Sequence, residues 1–240
     1  MLQGGLLEVF LQLMVDTHYN NLQVLSFVNE PVSSNAYLIV DTDTKKCIVI
    51  DPGSKENKSI RDYIIQNNIY LEYIILTHEH FDHCWGVNNL LDEFNPFVIA
   101  TKECAEWIQI PSNYFNKLYY NSAEMYSVRQ VDLVIKEKEM SFDFDNNRIS
   151  IFKTKGHSDK SACISINHWL FTGDTILYKT LPYLNKRFGA SVDDLFESIS
   201  FIYKNYNPDT IVFPGHGKPF ILYEMYEYYK IYFLKYNYQL

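Results

Sequence analysis

One short stretch, Thr77-His78-Glu79-His80-Phe81-Asp82-His83, limits what this chain can fold into more than any other. It places three of the seven histidines and one aspartate within the segment 78–83. It directly follows Tyr73-Ile74-Ile75-Leu76, an apolar run that reads as a buried strand. Cys84 to Leu91, on its far side, reads as the opening turns of a helix. Neutral ring nitrogens and a carboxylate oxygen crowded on one turn suit a divalent, borderline-soft ion such as zinc, iron or manganese. The fold must therefore hold this turn rigidly at a strand end and bring further ligands to it.

Three more polar loops follow apolar strands in the same manner. Ile149-Ser150-Ile151-Phe152 runs into Lys155-Gly156-His157-Ser158, and Trp169-Leu170-Phe171 into Thr172-Gly173-Asp174-Thr175. Ile211-Val212-Phe213 runs into Pro214-Gly215-His216-Gly217. Loops at strand ends on a rigid scaffold are where binding groups sit, and each of these carries a glycine beside a candidate ligand. The candidate site residues are His78, His80, Asp82, His83, His157, Asp174 and His216.

The surrounding pattern predicts a mixed sheet with helices packed outside it, one domain over residues 1–240. Leu22 to Val28, Ala36 to Val40 and Cys47 to Ile50 read as strands, and Lys55 to Asn68 as an amphipathic helix. Helices are expected at Lys102 to Ile108, Asn113 to Tyr126, Val192 to Asn205 and Phe220 to Tyr236, and a hairpin across Asn167-His168. Residues 1–16 hold an apolar stretch with no preceding Lys or Arg. It reads as a short helix, or as an extension upstream of a start at Met14.

Composition removes several function classes. The net charge is −8 and no long basic cluster occurs, so a nucleic-acid partner is not expected. No run reaches transmembrane length, so no membrane partner is expected either. Cys47, Cys84, Cys104 and Cys163 show no paired spacing and read as reduced thiols of a cytoplasmic protein. Cys84 is expected to face the core, and Glu79 to be solvated or to support a ligand. His18 and His168 read as structural. Lys186 and Arg187, with Arg129 and Lys155 behind them, are candidates to receive an anionic substrate group. The terminal helix carries Tyr223, Tyr226, Tyr228, Tyr229 and Tyr232, which suit packing or a contact between copies of the chain.

The set His78-x-His80-x-Asp82-His83, Gly156-His157, Gly173-Asp174-Thr175 and Pro214-Gly215-His216-Gly217 resembles the metallo-β-lactamase-fold hydrolases, from about Leu22 to Gly217. Ile50-Asp51-Pro52-Gly53 resembles the family's early motif, whose aspartate supports the site. The wording Thr-Gly-Asp-Thr and Pro-Gly-His-Gly is most similar to the hydroxyacylglutathione hydrolases (glyoxalase II), and also to persulfide dioxygenases. The resemblance implies an α/β (α+β) fold, a four-layer αββα sandwich, with two divalent metal ions at one edge. Zinc is the expected metal, with iron or manganese as alternatives. It implies a first metal on His78, His80 and His157, a second on Asp82, His83 and His216, and Asp174 bridging both. The implied activity is hydrolysis of a small ester, thioester or lactone by a metal-bridging hydroxide, which Asp82 would orient. A mononuclear iron oxygenase like the persulfide dioxygenases, and a non-catalytic metal-binding protein on the same fold, are the alternatives. Two departures bear on substrate: His157-Ser158-Asp159-Lys160 stands where the family continues His-Thr-Pro-Gly, placing a charged pair at the expected rim. The segment Leu177 to Tyr183 also lacks the Gly-rich, basic glutathione signature.

Overall fold

The computed structural model describes residues 17–240; the N-terminal stretch and Met14 lie outside the described residues. Four strands open the chain in antiparallel succession: β1 (His18–Tyr19), β2 (Leu22–Val28), β3 (Asn35–Asp41) and β4 (Lys46–Ile50). The pairing then turns parallel, and each parallel step needs a helical crossover. Helix α1 (Lys58–Gln66) leads to β5 (Tyr70–Ile75), and α2 (Phe81–Cys84) with α3 (Val87–Phe94) to β6 (Phe97–Thr101). Helices α4 (Lys102–Ile108) and α5 (Tyr114–Tyr120) precede β7 (Leu133–Ile135), which closes the seven-stranded sheet.

The second sheet starts as an antiparallel meander of β8 (Glu139–Phe144), β9 (Asn147–Lys153), β10 (Ala162–Ile166) and β11 (Trp169–Gly173). Helix α6 (Val192–Asn205) crosses to β12 (Ile211–Pro214), parallel to β11, and β13 (Phe220–Ile221) finishes the edge before α7 (Tyr226–Leu234).

Strand alternation sorts the apolar side chains into three layers. In β3 every residue is buried, as a strand covered on both faces must be. Its Tyr37 and Ile39 meet Ile151, Ile164, Phe171 and Phe213 between the sheets, while Leu38 and Val40 pack with Ile60, Ile64 and Leu90 of α1 and α3. On the outer face of the second sheet, Cys163, Leu170 and Val212 meet Leu195, Ile199 and Ile202 of α6, with Tyr229 and Phe233 of α7. The result is the expected αββα order. None of the helices among the described residues is long and apolar enough to cross a membrane.

Some element boundaries depart from expectation for local reasons. Helix α1 starts at Lys58 because Asn57 takes a left-handed conformation (φ 45°). The helix expected over Asn113 to Tyr126 stops at Tyr120, where Asn121 turns left-handed (φ 49°) and Tyr126 pairs back to Ser112. Phe220 and Ile221, expected to open the terminal helix, pair instead with Val212 and Ile211, because an edge of β12 stands open to them. The helix after the histidine cluster is broken at Gly86, whose added Cβ would lie 2.3–2.4 Å from the Ser54 and Pro52 carbonyl oxygens.

Candidate metal centre

The four loops converge at one edge of the sandwich. The β5 end supplies Thr77, His78 and His80, and α2 supplies Asp82 and His83. The loop after β9 supplies His157, the β11 end Asp174, and the β12 end His216. All seven candidate residues meet there. His78, His80, His157 and Asp174 present ligand atoms to one common point, and Asp82, His83 and His216 to another.

Hydrogen bonds fix four of the five rings. The Thr77 hydroxyl donates to Asp51 Oδ2 (2.6 Å), so it accepts from His78 Nδ1 (2.9 Å). His83 Nδ1 donates to Asp51 Oδ2 (2.8 Å), His157 Nδ1 to the Tyr183 carbonyl (2.9 Å) and His216 Nδ1 to the Ser33 carbonyl (2.9 Å). Each of these rings therefore turns its Nε2 toward the centre, the arrangement that orients metal-binding imidazoles. His80 Nδ1 lies 3.0 Å from both His78 Nε2 and His157 Nε2. One ring proton can satisfy only one of them.

The second cluster is spaced more openly. Asp82 Oδ2 is 3.6 Å from His83 Nε2 and 3.4 Å from His216 Nε2. Asp174 faces both clusters, with Oδ2 3.5 Å from His157 Nε2 and from His216 Nε2, and Oδ1 3.7 Å from His83 Nε2. Two ligands about 2.0–2.1 Å from one ion at a tetrahedral angle stand about 3.3–3.4 Å apart. His83 Nε2 and Asp174 Oδ1 are buried with no hydrogen-bond partner among the described residues, a cost that a cation between them removes. The donor set fits two divalent ions.

Charge follows position. Burial, with cationic neighbours, holds His80 down to about 3, and it lowers His78 and His157 as well. Burial pulls His83 and His216 the same way, but the Asp82 and Asp174 carboxylates outweigh it and lift them to about 9 and about 11. Burial opposes ionisation of Asp82 and Asp174, yet His83 and His216 hold both below the usual carboxylate range. Without metal, then, protons sit on the second cluster where a cation would be.

Two close approaches build this geometry. A Cβ on Gly215 would stand 2.1 Å from Asp174 Oδ1 and 2.8 Å from His83 Cε1. Gly173 (φ +48°) lies against Thr77, where a Cβ would come 2.5 Å from the hydroxyl that orients His78. Asp51 (φ 54°) supports the site as expected, binding Thr77 N (2.8 Å) as well as Thr77 Oγ1 and His83. A left-handed, non-glycine residue that is over-determined in this way is characteristic of functional sites.

Other supports were not anticipated. Asn29 Nδ2 donates to the Asp82 carbonyl (3.3 Å), as does the Ser34 hydroxyl. Asn35 Nδ2 donates to the Pro214 and Gly217 carbonyls (2.9 and 2.8 Å), and Tyr37 OH to Pro214 (2.6 Å). A polar residue opening a buried strand, as Asn35 does, is the one signal that marks them. Glu79 needs correction: it is not solvated, its side chain being fully buried. The Ser158 hydroxyl donates to its carboxylate, lying 2.8 and 2.7 Å from the two oxygens, and Lys160 Nζ lies 3.6 Å away. The Lys160 expected at the rim is likewise buried, beside Asp159 (2.5 Å) and 4.5 Å from the Trp107 ring centre. Cys84 faces the core as expected. His168 packs on Tyr19 and Trp169, away from the centre. Arg129 pairs with Asp92 on the surface. Of the terminal tyrosines Tyr229 is buried, while Tyr223 and Tyr228 are exposed.

Two facing sheets flanked by helices, with a seven-residue imidazole and carboxylate cluster at one edge, define a metal-binding αββα protein. The metallo-beta-lactamase superfamily profile matches residues 29–216, and the chain belongs to that superfamily. The probable polyketide biosynthesis zinc-dependent hydrolase BaeB of Bacillus velezensis is 30% identical over 187 residues, covering 77% of this chain and 73% of the relative. Hydroxyacylglutathione hydrolase 1 of Vibrio vulnificus is 26% identical over 197 residues, 80% of this chain and 66% of that protein. The crystal structure of the BLEG-1 B3 metallo-beta-lactamase superposes with a TM-score of 0.75 at 24% identity, covering 85% of this chain and 97% of that one.

Proposed function

We propose that this superfamily hydrolase cleaves a small-molecule ester, thioester or lactone with two divalent ions, zinc first among the candidates. One observation carries the reading: five imidazole rings and two carboxylates converge on two adjacent points. His78 Nε2, His80 Nδ1 and His157 Nε2 would hold one ion, Asp82, His83 and His216 the other, and Asp174 would touch both. Ions held there lower the pKa of water to near neutrality and polarise the substrate carbonyl.

The chain's own residues supply the positioning. Asp82 is fixed through its carbonyl by Asn29 and Ser34, so its carboxylate is aimed and can orient the attacking water. Asp51 keeps His78 and His83 in the ligating tautomer by accepting from Thr77 and from His83 Nδ1. The acyl carbon gains the water oxygen, the bond to the leaving oxygen or sulfur breaks, and the leaving group takes the water's proton. No side-chain nucleophile is required. The zinc-dependent hydrolase and the hydroxyacylglutathione hydrolase among the relatives support this reaction class. Four buried free cysteines fit a single reduced, cytoplasmic domain.

The test is a panel of thioester, lactone, β-lactam and phosphodiester substrates, run before and after chelation and zinc return. Thioester or lactone turnover that chelator abolishes and zinc restores is the expected result. Oxygen uptake on a persulfide by a single bound iron, with no hydrolysis, would replace this reading with the oxygenase one.

A further inference from the structure

Beside the centre lies an aromatic pocket of about 280 Å³ whose walls include Trp107, Ile110, Tyr114, Phe115, Phe188 and Arg187. It adjoins the reacting region directly. The Phe188 ring packs edge-on against His80 with ring centres 4.4 Å apart, and Trp107 sits 6.1 Å further out. The wall is held in place: Asp159 N and Lys160 Nζ both donate to the Phe188 carbonyl (3.2 and 3.5 Å), and Asn185 caps the turn through Arg187 N (3.0 Å). At the outer rim Ile110 and Tyr114 are 63% and 50% exposed, an apolar edge with no covering element among the described residues. Arg187 lies over the Tyr114 ring at 5.3 Å, and no carboxylate among the described residues pairs with it.

We infer that this pocket receives the acyl arm of the substrate, apolar along most of its length and anionic at its outer end, where Arg187 meets it. The inference rests on the hydrolase reading and adds the substrate class to it. The cavity, about 280 Å³, has room for a chain of several carbons that ends in a carboxylate. The aromatic faces favour such a chain by burial, and a guanidinium pairs with a carboxylate or sulfonate as a fork. In the step itself the thioester C–S bond breaks, water gives its oxygen to the acyl carbon, and its proton goes to the released sulfur.

The test uses ethanethiol thioesters with acetyl, hexanoyl and 5-carboxypentanoyl arms, on zinc-loaded protein. Alongside, binding of hexane-1-sulfonate and 1-hexanol is measured by calorimetry, since a sulfonate is a poor metal ligand. The expected kcat/KM rises at least tenfold from acetyl to hexanoyl, and again to 5-carboxypentanoyl; hexane-1-sulfonate binds at least tenfold tighter than 1-hexanol. Arg187→Gln removes the anionic preference in both assays and spares the chain-length effect. Ile110→Asp, at an exposed and fold-tolerant position, weakens the anionic arm and sulfonate at least tenfold. Bound zinc stays constant in both variants. Equal kcat/KM across the three arms, with acetyl hydrolysed well, overturns the pocket assignment and leaves the hydrolase reading standing. No hydrolysis of any arm, with sulfonate binding that Arg187→Gln abolishes, sinks the hydrolase reading and leaves the pocket.

Discussion

Replacing Lys160 with methionine removes the cation 3.6 Å from the Glu79 carboxylate while keeping most of the side-chain volume. The Glu79 side chain is 0% exposed and that of Lys160 only 9%, so water cannot replace the lost charge. Breaking a buried ion pair from one side costs about 3–5 kcal/mol. Glu79 keeps the hydrogen bond from the Ser158 hydroxyl, which places the cost at the lower end, about 3 kcal/mol. A chain of this size shifts roughly 2–4 °C in Tm per kcal/mol, so Tm should fall by about 6–12 °C. Burial already raises the Glu79 pKa, and Lys160 is the main opposing influence. Ionised Glu79 therefore costs stability above its folded pKa, and that cost shrinks as pH falls through it. The deficit of Lys160→Met should accordingly narrow toward acid pH. Glu79→Gln/Lys160→Met should recover most of the loss, because no buried charge is left unpaired. Urea unfolding of the zinc-loaded wild type and variants at two pH values reads all three effects. A single variant within about 0.5 kcal/mol of wild type, the range of ordinary surface changes, would refute the reasoning. So would a double variant no better than the single.

Three further outcomes follow from the centre. Asp174→Asn, at the position facing both clusters, should lose metal and turnover together, while His168→Ala should cost no more than about 1 kcal/mol and leave metal content unchanged by emission spectrometry. Gly215→Ala pushes a methyl into Asp174 and His83, so metal affinity should fall about 10–100-fold in a chelator competition, with the fold retained by circular dichroism. In metal-free protein the folded His83 value, about 9, lies above the ordinary imidazole value near 6.5. Its contribution is therefore fully present below about pH 6.5 and lost as pH rises through about 9. Zinc should reverse the trend, because its ligands must be deprotonated; denaturation with and without chelator at pH 6, 8 and 9.5 checks the sign.

The sequence made the centre legible because each ligand follows a strand that is apolar enough to be recognised. Strand, glycine and ligand recur together at His157, Asp174 and His216, so each loop is legible without knowledge of where the loops meet. What stayed hidden is long-range. Nothing near Asn29 or Ser34 says that they hold Asp82, and the polar opening of β3 at Asn35 does not say what it holds, since those contacts span 48 to 182 positions. Glu79 and Lys160 look like surface charges until the fold seals them against each other. The missed boundaries have two causes. Asn57 and Asn121 adopt left-handed conformations that periodicity does not register, and Phe220 chose an open strand edge over helix.

On the proposed function, seven side chains form one site for two metal ions. Emission spectrometry on protein purified without chelator, loaded with zinc and desalted, tests it most directly. Close to two zinc ions per chain are expected, and about one in Asp82→Ala, whose carboxylate faces only the second cluster. Wild-type protein that holds one zinc or none, or an Asp82→Ala variant that still holds two, would contradict it.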